Sequence, residues 1–392
     1  AQPIAPFLQI HDAAADKLGN FWFGTRSSGL WVNTANNLLG RVDLPELVFP
    51  DGFGIGAVYS DSEDNLWVGH RAGLYQLQRA AFREVLSSPA IESTEPVDFA
   101  ESATGEIWVV TESGRALRYP AIGDGPQPIK TRNRATFAEP DHSGRLWLVT
   151  ENGRGLCYEP NHSEPTHVQL PESEYIRHVR PTPEGLWAQG WNSLWHYTLT
   201  GPRKLPLPPG VTELSNAGLV TGENGELQLY TVSHGLFAWN GKAWDFLAES
   251  IDTADRPTGG FHIDPEGRSW ISTNNHPLVV FDGKHWKPVP LGSSEMPVEV
   301  IAMASDNLDG LWGLTAAHGV FRIERDWDPN AQRPAHWFGK TSGLPSSSGR
   351  GWGKGIQKLR DGRILVATSQ GAAIIDPHAV SYTHLTLPTK IV

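Results

Sequence analysis

The chain has 392 residues, a net charge of −11 and 10% aromatic residues, with 41 Gly, 30 Pro and 16 Trp. That aromatic content excludes a disordered chain, and the even spread of Gly and Pro excludes a helical bundle, since no 3.6-residue periodicity survives between them. The acidic balance excludes nucleic acid as a general partner, because phosphate binding needs a basic surface, and the single cysteine, Cys157, excludes an intrachain disulfide or a Cys-based zinc site.

Nine related segments follow one another along the chain. They centre on Trp22, Trp67, Trp108, Trp147, Trp187, Gln228, Trp270, Trp312 and Leu365, at intervals of 45, 41, 39, 40, 41, 42, 42 and 53 residues. A period near forty residues marks a repeat architecture. In each segment an apolar strand, such as 7–11 or 261–264, leads into a turn of the Asp-x-x-Gly type. Gly takes positive φ there and Asp bonds its own backbone. The Trp strand follows, then a second Gly-bearing turn, as in 27–32, 72–77, 234–239 and 318–323. The third strand often closes with Asn-Gly or Asp-Gly, as at 240–241 and 282–283, a strong hairpin signal.

Four antiparallel strands per repeat predict an all-β fold, a β-propeller of four-stranded blades. The anchor tryptophans are expected to pack between neighbouring blades, as fold and not as site. Nine repeats fit one seven-bladed ring over 1–296, with the first blades of a second propeller, or additional blades, over 297–380. One closed ring of eight or nine blades is the alternative. No apolar run approaches the roughly 20 residues that span a bilayer.

The pattern Asp-x-x-Gly-x-[Leu/Phe]-Trp-[Ile/Val/Phe]-Gly-Thr-x-x-x-Gly-Leu, strongest at 16–30 and clear again at 61–74, resembles the two-component regulator propeller repeat. Gly-Leu-Pro-Ser at 343–346 resembles the start of another form of that unit. The likeness covers about residues 1–378; it departs at Gln228, at Leu365 and in the Trp187 segment, which is one turn residue short. The resemblance implies a periplasmic or extracytoplasmic sensor region of a membrane histidine kinase, including hybrid two-component systems, or of a diguanylate cyclase. Attachment to the membrane would then come through a C-terminal segment beyond this chain. Residues 381–392 break the repeat and resemble an adapter-like, non-native tail, so the chain is expected to be a cut through a longer protein. A homodimer of the full-length protein is a further expectation.

Strand alternation sends the Asp-x-x-Gly turns to one, acidic, face. The turns after the Trp strands and the loops entering each first strand go to the other. That second face is expected to gather Arg26, His70, Arg71, Arg115 and Arg154 from its turns, and Arg132, Arg134, Arg177 and Arg256 from its entering loops. Arg forks pair bidentately with carboxylate or sulfate, so the expected ligand is a small acidic molecule, such as a uronic or sulfated oligosaccharide. Trp191 and Trp352 fall outside the packing register and are candidate stacking platforms for sugar rings. His234, His276 and His318 recur every 42 residues. Equivalent turns on different blades lie too far apart to share one zinc ion, whose nitrogens sit about 2.1 Å from it. These histidines are expected to serve as turn residues or to line a ligand rim; no metal and no cofactor is expected.

Two other functions compete with sensing. A propeller enzyme acting on polysaccharide would need paired carboxylates about 5–9.5 Å apart at the channel. A protein-interaction platform is open to any propeller. Carboxylates converging on the channel favour the enzyme, and an Arg/Trp-lined loop face favours the sensor.

Overall fold

Five of the seven anchor tryptophans are held by a carboxylate that serves two elements at once. In the computed structural model, Asp141 Oδ1 accepts the backbone N–H groups of Ser143 and Arg145 at 2.9 and 3.0 Å and so sets the turn. Its Oδ2 accepts the indole N–H of Trp147 at 3.0 Å. The same carboxylate–indole bond joins Asp16 to Trp22, Asp61 to Trp67, Asp264 to Trp270 and Asp306 to Trp312, at 2.7–3.0 Å. A further donor reaches Oδ2 from the fifth turn residue: Asn20, Asn65, Arg145 or Arg268. In the Asp306 turn that position is Gly310, and Arg322 of the next strand donates instead, at 2.8 Å. The tryptophans so fixed fill the wedge between sheets: Trp147, Trp270 and Trp312 are fully buried.

The structure describes residues 8–377 except 18, 35–38, 43–53, 62–64, 72, 78–80, 87–94, 121–124, 161–163, 170–174, 223–224, 252–256, 274–277, 292–297, 328–334 and 352–353. The chain divides into two compact units, Ala1–Ala80 with Ser381–Val392, and Ala81–Val380. The first unit holds a four-stranded antiparallel sheet (Ile10–Ala15, Phe21–Thr25, Leu30–Asn33, Leu39–Arg41) and a sheet of three described strands (Ile55–Ser60, Leu66–His70, Gly73–Leu77). A carboxylate also ties these two sheets: Asp12 Oδ2 accepts the N–H of Val58 at 2.9 Å.

The second unit is seven four-stranded antiparallel sheets, here blades I to VII. Blade I is Pro96–Glu101, Ile107–Thr111, Ala116–Tyr119 and Gln127–Ile129; blade II is Ala135–Pro140, Leu146–Thr150, Arg154–Tyr158 and Thr166–Gln169. Blade III is His178–Pro181, Gly185–Gln189, Leu194–Thr198 and Gly201–Leu205; blade IV is Ala217–Thr221, Leu227–Thr231, Gly235–Trp239 and Trp244–Ala248. Blade V is Pro257–Ile263, Ser269–Thr273, Val279–Phe281 and Trp286–Pro288; blade VI is Val300–Ser305, Leu311–Thr315, Val320–Ile323 and Ala335–Phe338. Blade VII is Ile356–Lys358, Ile364–Thr368 and Gly371–Ile375, and its outermost strand is Phe82–Val85 from the start of the unit.

That borrowed strand closes the ring. Ile375 pairs with Phe82 and Ala372 with Val85. The innermost strands of successive blades neighbour one another, and blade VII meets blade I. Val85, Phe99, Leu117, Tyr119, Leu365 and Ile374 share one apolar cluster across that seam. Arg350 Nε donates to Glu95 at 2.6 Å and the Arg360 backbone N–H to Glu101 at 2.7 Å over the same seam.

The nine repeats are therefore two sheets in the first unit and seven blades in a ring over 81–380. The expected boundaries, 1–296 and 297–380, do not coincide with these units, nor does a single eight- or nine-bladed ring form. Repeat spacing counts blades without saying where a ring closes. By sequence, Phe82–Val85 stands as the fourth strand of the Trp67 segment; closure moves it to blade VII. The departures noted at the anchors are all accommodated. Gln228 Oε1 accepts the Ser269 hydroxyl at 2.6 Å, Leu365 lies in the seam cluster, and Trp187 packs on the His196 ring at 4.4 Å. Residues 381–392 lie outside the described residues. Among the described residues no helix is long and apolar enough to cross a membrane.

Phe82 is 1% exposed and meets the rings of Trp312 and Phe338 edge-on at 6.3 and 5.7 Å. Phe82→Ala is expected to cost about 3–5 kcal/mol in equilibrium urea unfolding. A loss below about 1 kcal/mol would contradict closure by this strand.

Candidate functional site

Of the expected basic face, Arg177, Arg134, Arg132 and Arg154 are set between adjacent blades of the second unit. Arg177 lies in the loop entering blade III. Its Nη1 donates to the backbone carbonyls of Leu214 and Ser215, at 3.1 and 2.5 Å, in the loop entering blade IV. Its guanidinium also lies 4.5 Å from the centre of the Trp191 ring, a cation–π stack. Burial holds the Arg177 guanidinium below its ordinary pKa. Trp191 remains 48% exposed, so one face of the pair is open. Beside it, buried Gln189 donates to the carbonyls of Leu214 and Ala217 at 3.2 and 3.3 Å, and its Oε1 has no donor.

Arg134 is likewise half structural. Its Nη2 donates to the Glu112 carbonyl at 2.8 Å, and its side chain packs over Gly114, whose φ of +80° and lack of Cβ make room for it. Arg115 is exposed in the same turn, where its backbone N–H donates to the Thr111 hydroxyl at 3.1 Å. Arg132 and Arg154 come together differently. Both line a cleft of about 1130 Å³ between blades I and II, with Trp108 and Tyr158.

His234 and His318 act as turn residues. Their backbone N–H groups donate to the hydroxyls of Thr231 and Thr315, at 3.2 and 2.9 Å, and His234 Nδ1 meets the Ser233 hydroxyl at 2.8 Å. In the first unit, Arg26 and Arg71 are exposed in turns and His70 ends its strand half-buried. His276, Arg256 and Trp352 lie outside the described residues. Among the described residues no three His, Cys, Asp or Glu side chains group to hold a metal ion. Cys157 is buried, and burial pushes its thiol up to about 12, so it is not a nucleophile.

Sequence reading missed the charges at the centre of the ring. Asp98 of blade I, Glu139 of blade II and Arg180 of blade III are buried on innermost strands. Lys354, from the Gly-rich loop before blade VII, forms an ion pair with Glu139. Asp98 accepts the N–H groups of Phe99 and Ala138 at 2.9 and 3.0 Å, tying blade I to blade II. Burial raises its carboxyl to about 6, with Lys354 and Arg180 opposing the rise. Burial pulls Arg180 down to about 10. Three of the four lie on the innermost strands of neighbouring blades and Lys354 pairs with one of them, so the group gathers on the inner side of the ring. Two carboxylates do converge on the channel, and two cations answer them. A signal was present: an acid or base inside an otherwise apolar first strand, as in residues 96–101 or 178–181.

Blades of four antiparallel strands closed by a borrowed outer strand define a β-propeller. No family model matches the chain, and no curated protein matches it in sequence. Its fold is similar to the extracellular domain of a protein described as the hybrid two component system BT3049 from B. thetaiotaomicron. That match has a TM-score of 0.65 and 14% identity over 94% of this chain. A second is the extracellular domain described as that of the hybrid two component system BT4673 from the same organism, with a TM-score of 0.58 and 13% identity over 93% of this chain. The chain spans 52% of each of those structures. A streptogramin B lyase matches with a TM-score of 0.58 and 14% identity, over 76% of this chain and 99% of its own. At these identities the likeness establishes the fold.

His178 sits half-buried on the innermost strand of blade III. Burial first, then Arg180 and Arg177, hold its imidazole down to about 3. Between pH 6.5 and that value the unfolded chain binds a proton that the folded ring refuses, so His178 makes stability fall as pH drops through 6.5. Asp98 acts in the opposite sense. Its raised value makes stability fall as pH rises from about 4 to about 6. His178→Gln is expected to flatten the acid-side loss by up to about 1.4 kcal/mol per pH unit, read from urea unfolding between pH 4 and 7. An unchanged slope would contradict a neutral His178.

Proposed function

We propose that this chain is the ligand-binding region of an extracytoplasmic sensor, part of a membrane signalling protein whose histidine kinase or cyclase lies outside the sequence. The observation that carries the reading is the Arg177–Trp191 pair, a half-exposed indole roofed by a guanidinium on the loop face of the ring. An indole face accepts the apolar side of a sugar ring, and the open edge of a guanidinium accepts a carboxylate or sulfate beside it. The likeness of the fold to two extracellular domains of two-component systems supports the same reading. The ligand in this proposal is a small acidic oligosaccharide, bound and not turned over. The ring's central carboxylates are each compensated by a cation, which suits a structural tie better than general acid–base work.

A panel of uronic, sulfated and neutral oligosaccharides tests this by thermal shift and calorimetry. Acidic members are expected to raise the melting temperature and neutral ones to leave it unchanged. Trp191→Ala is expected to weaken binding by roughly tenfold with little effect on stability, because the side chain is half exposed. Binding that is indifferent to Trp191, or turnover of a bound sugar, would overturn the proposal.

A further inference from the structure

Blade I departs from the carboxylate–indole bond of its neighbour. Ser102 stands at the aspartate position and spends its hydroxyl within the turn, against the Thr104 hydroxyl at 2.9 Å and the Glu106 N–H at 3.1 Å. Among the described residues no carboxylate reaches the Trp108 indole N–H. Its side chain is only 5% exposed, and its indole N–H has neither an acceptor nor access to solvent. Trp108 lines the cleft between blades I and II.

A second donor in the same cleft is in the same condition. Arg154 Nε is buried and has no acceptor, and its guanidinium makes no hydrogen bond or ion pair among the described residues. The Tyr158 ring lies 4.9 Å from that of Trp108 and adds an aromatic wall. Exposed Lys130 and Arg132 add positive charge. Three carboxylates also line the cleft: Glu106, which faces Arg118 at 3.8 Å, with Glu159 and Glu164. Unmet donors beside aromatic rings, in a space of about 1130 Å³, lack one kind of group: an acceptor carried on a cyclic body. A buried donor left unpaired is costly, and the arrival of an anionic oxygen removes that cost.

We propose that the cleft between blades I and II binds a small molecule bearing a carboxylate or sulfate on a ring, with Trp108 and Arg154 shifting to present Nε1–H and Nε–H, both closed to solvent in the free chain, to the anionic oxygens. Serine at position 102 keeps the indole donor available for it. This site is distinct from the Arg177–Trp191 pair and stands whether or not that pair binds a ligand.

Indole-¹⁵N labelling of the full chain tests it, with the Trp108 Nε1–H signal assigned by its loss in Trp108→Phe. The probes are glucuronate, glucose 6-sulfate and benzoate, with glucose as the neutral control. At least one anionic probe is expected to move the Trp108 signal saturably, and glucose to leave it in place. Ser102→Asp supplies the carboxylate of the other blades; it is expected to raise the melting temperature by about 2–4 °C and to weaken binding at least roughly tenfold. Trp108→Phe and Arg154→Met are expected to weaken it similarly, and Trp108→Phe carries the test if Ser102→Asp fails to fold. A Trp108 signal indifferent to every anion would overturn the proposal. So would a response confined to Trp191, or wild-type binding by Ser102→Asp and Trp108→Phe.

Discussion

One carboxylate with two oxygens organises most of this molecule. The first oxygen collects turn N–H groups and the second collects an indole N–H, so the turn cannot form without also aiming the tryptophan. That tryptophan fills the gap that opens between radiating sheets. Burying a carboxylate is costly unless its lone pairs are met, and here they are met by several donors. At Asp306, burial would raise the carboxyl, but Arg322, the Trp312 indole and the Gly310 N–H outweigh it and hold it below the usual range. Where the aspartate is missing, the indole is still placed by its neighbours but its N–H is left unmet, as at Trp108.

The repeat was legible because it lies in local chemistry. Asp, Gly and Trp at fixed offsets specify a turn and a strand, and the nine repeats, seven of them with Trp at the anchor, count nine sheets. Ring closure is not local. Phe82–Val85 has the same sequence character whether it completes its own sheet or that of blade VII. The arginines of the candidate site were legible as residue types on loops, but not their partners. Arg134 and Arg177 satisfy carbonyls of neighbouring blades, which no spacing rule anticipates. Gly310 reads as one more turn glycine, yet it is the space that lets the Arg322 guanidinium in.

The centre of the ring carries a different logic from its rim. Asp98, Glu139, Arg180 and Lys354 come from four blades, and each is costly to bury alone. Together they are balanced, so removing one leaves the others uncompensated. The rim, by contrast, leaves an aromatic face open at Trp191 on the loops and donors unmet in the cleft beside Trp108.

The borrowed strand also sets an order of events in time. Phe82 and Ile375 are separated by roughly 290 residues, so the last pairing waits until nearly the whole unit has left the ribosome. Until then both blade VII and the strand meant for it present unpaired edges, which template wrong partners. Long-range closure of this kind slows folding, because the entropy of a large loop is lost before the contact is gained. The seam between blades I and VII is therefore the late step in assembly, and the interval before it forms is when the chain is most exposed to aggregation.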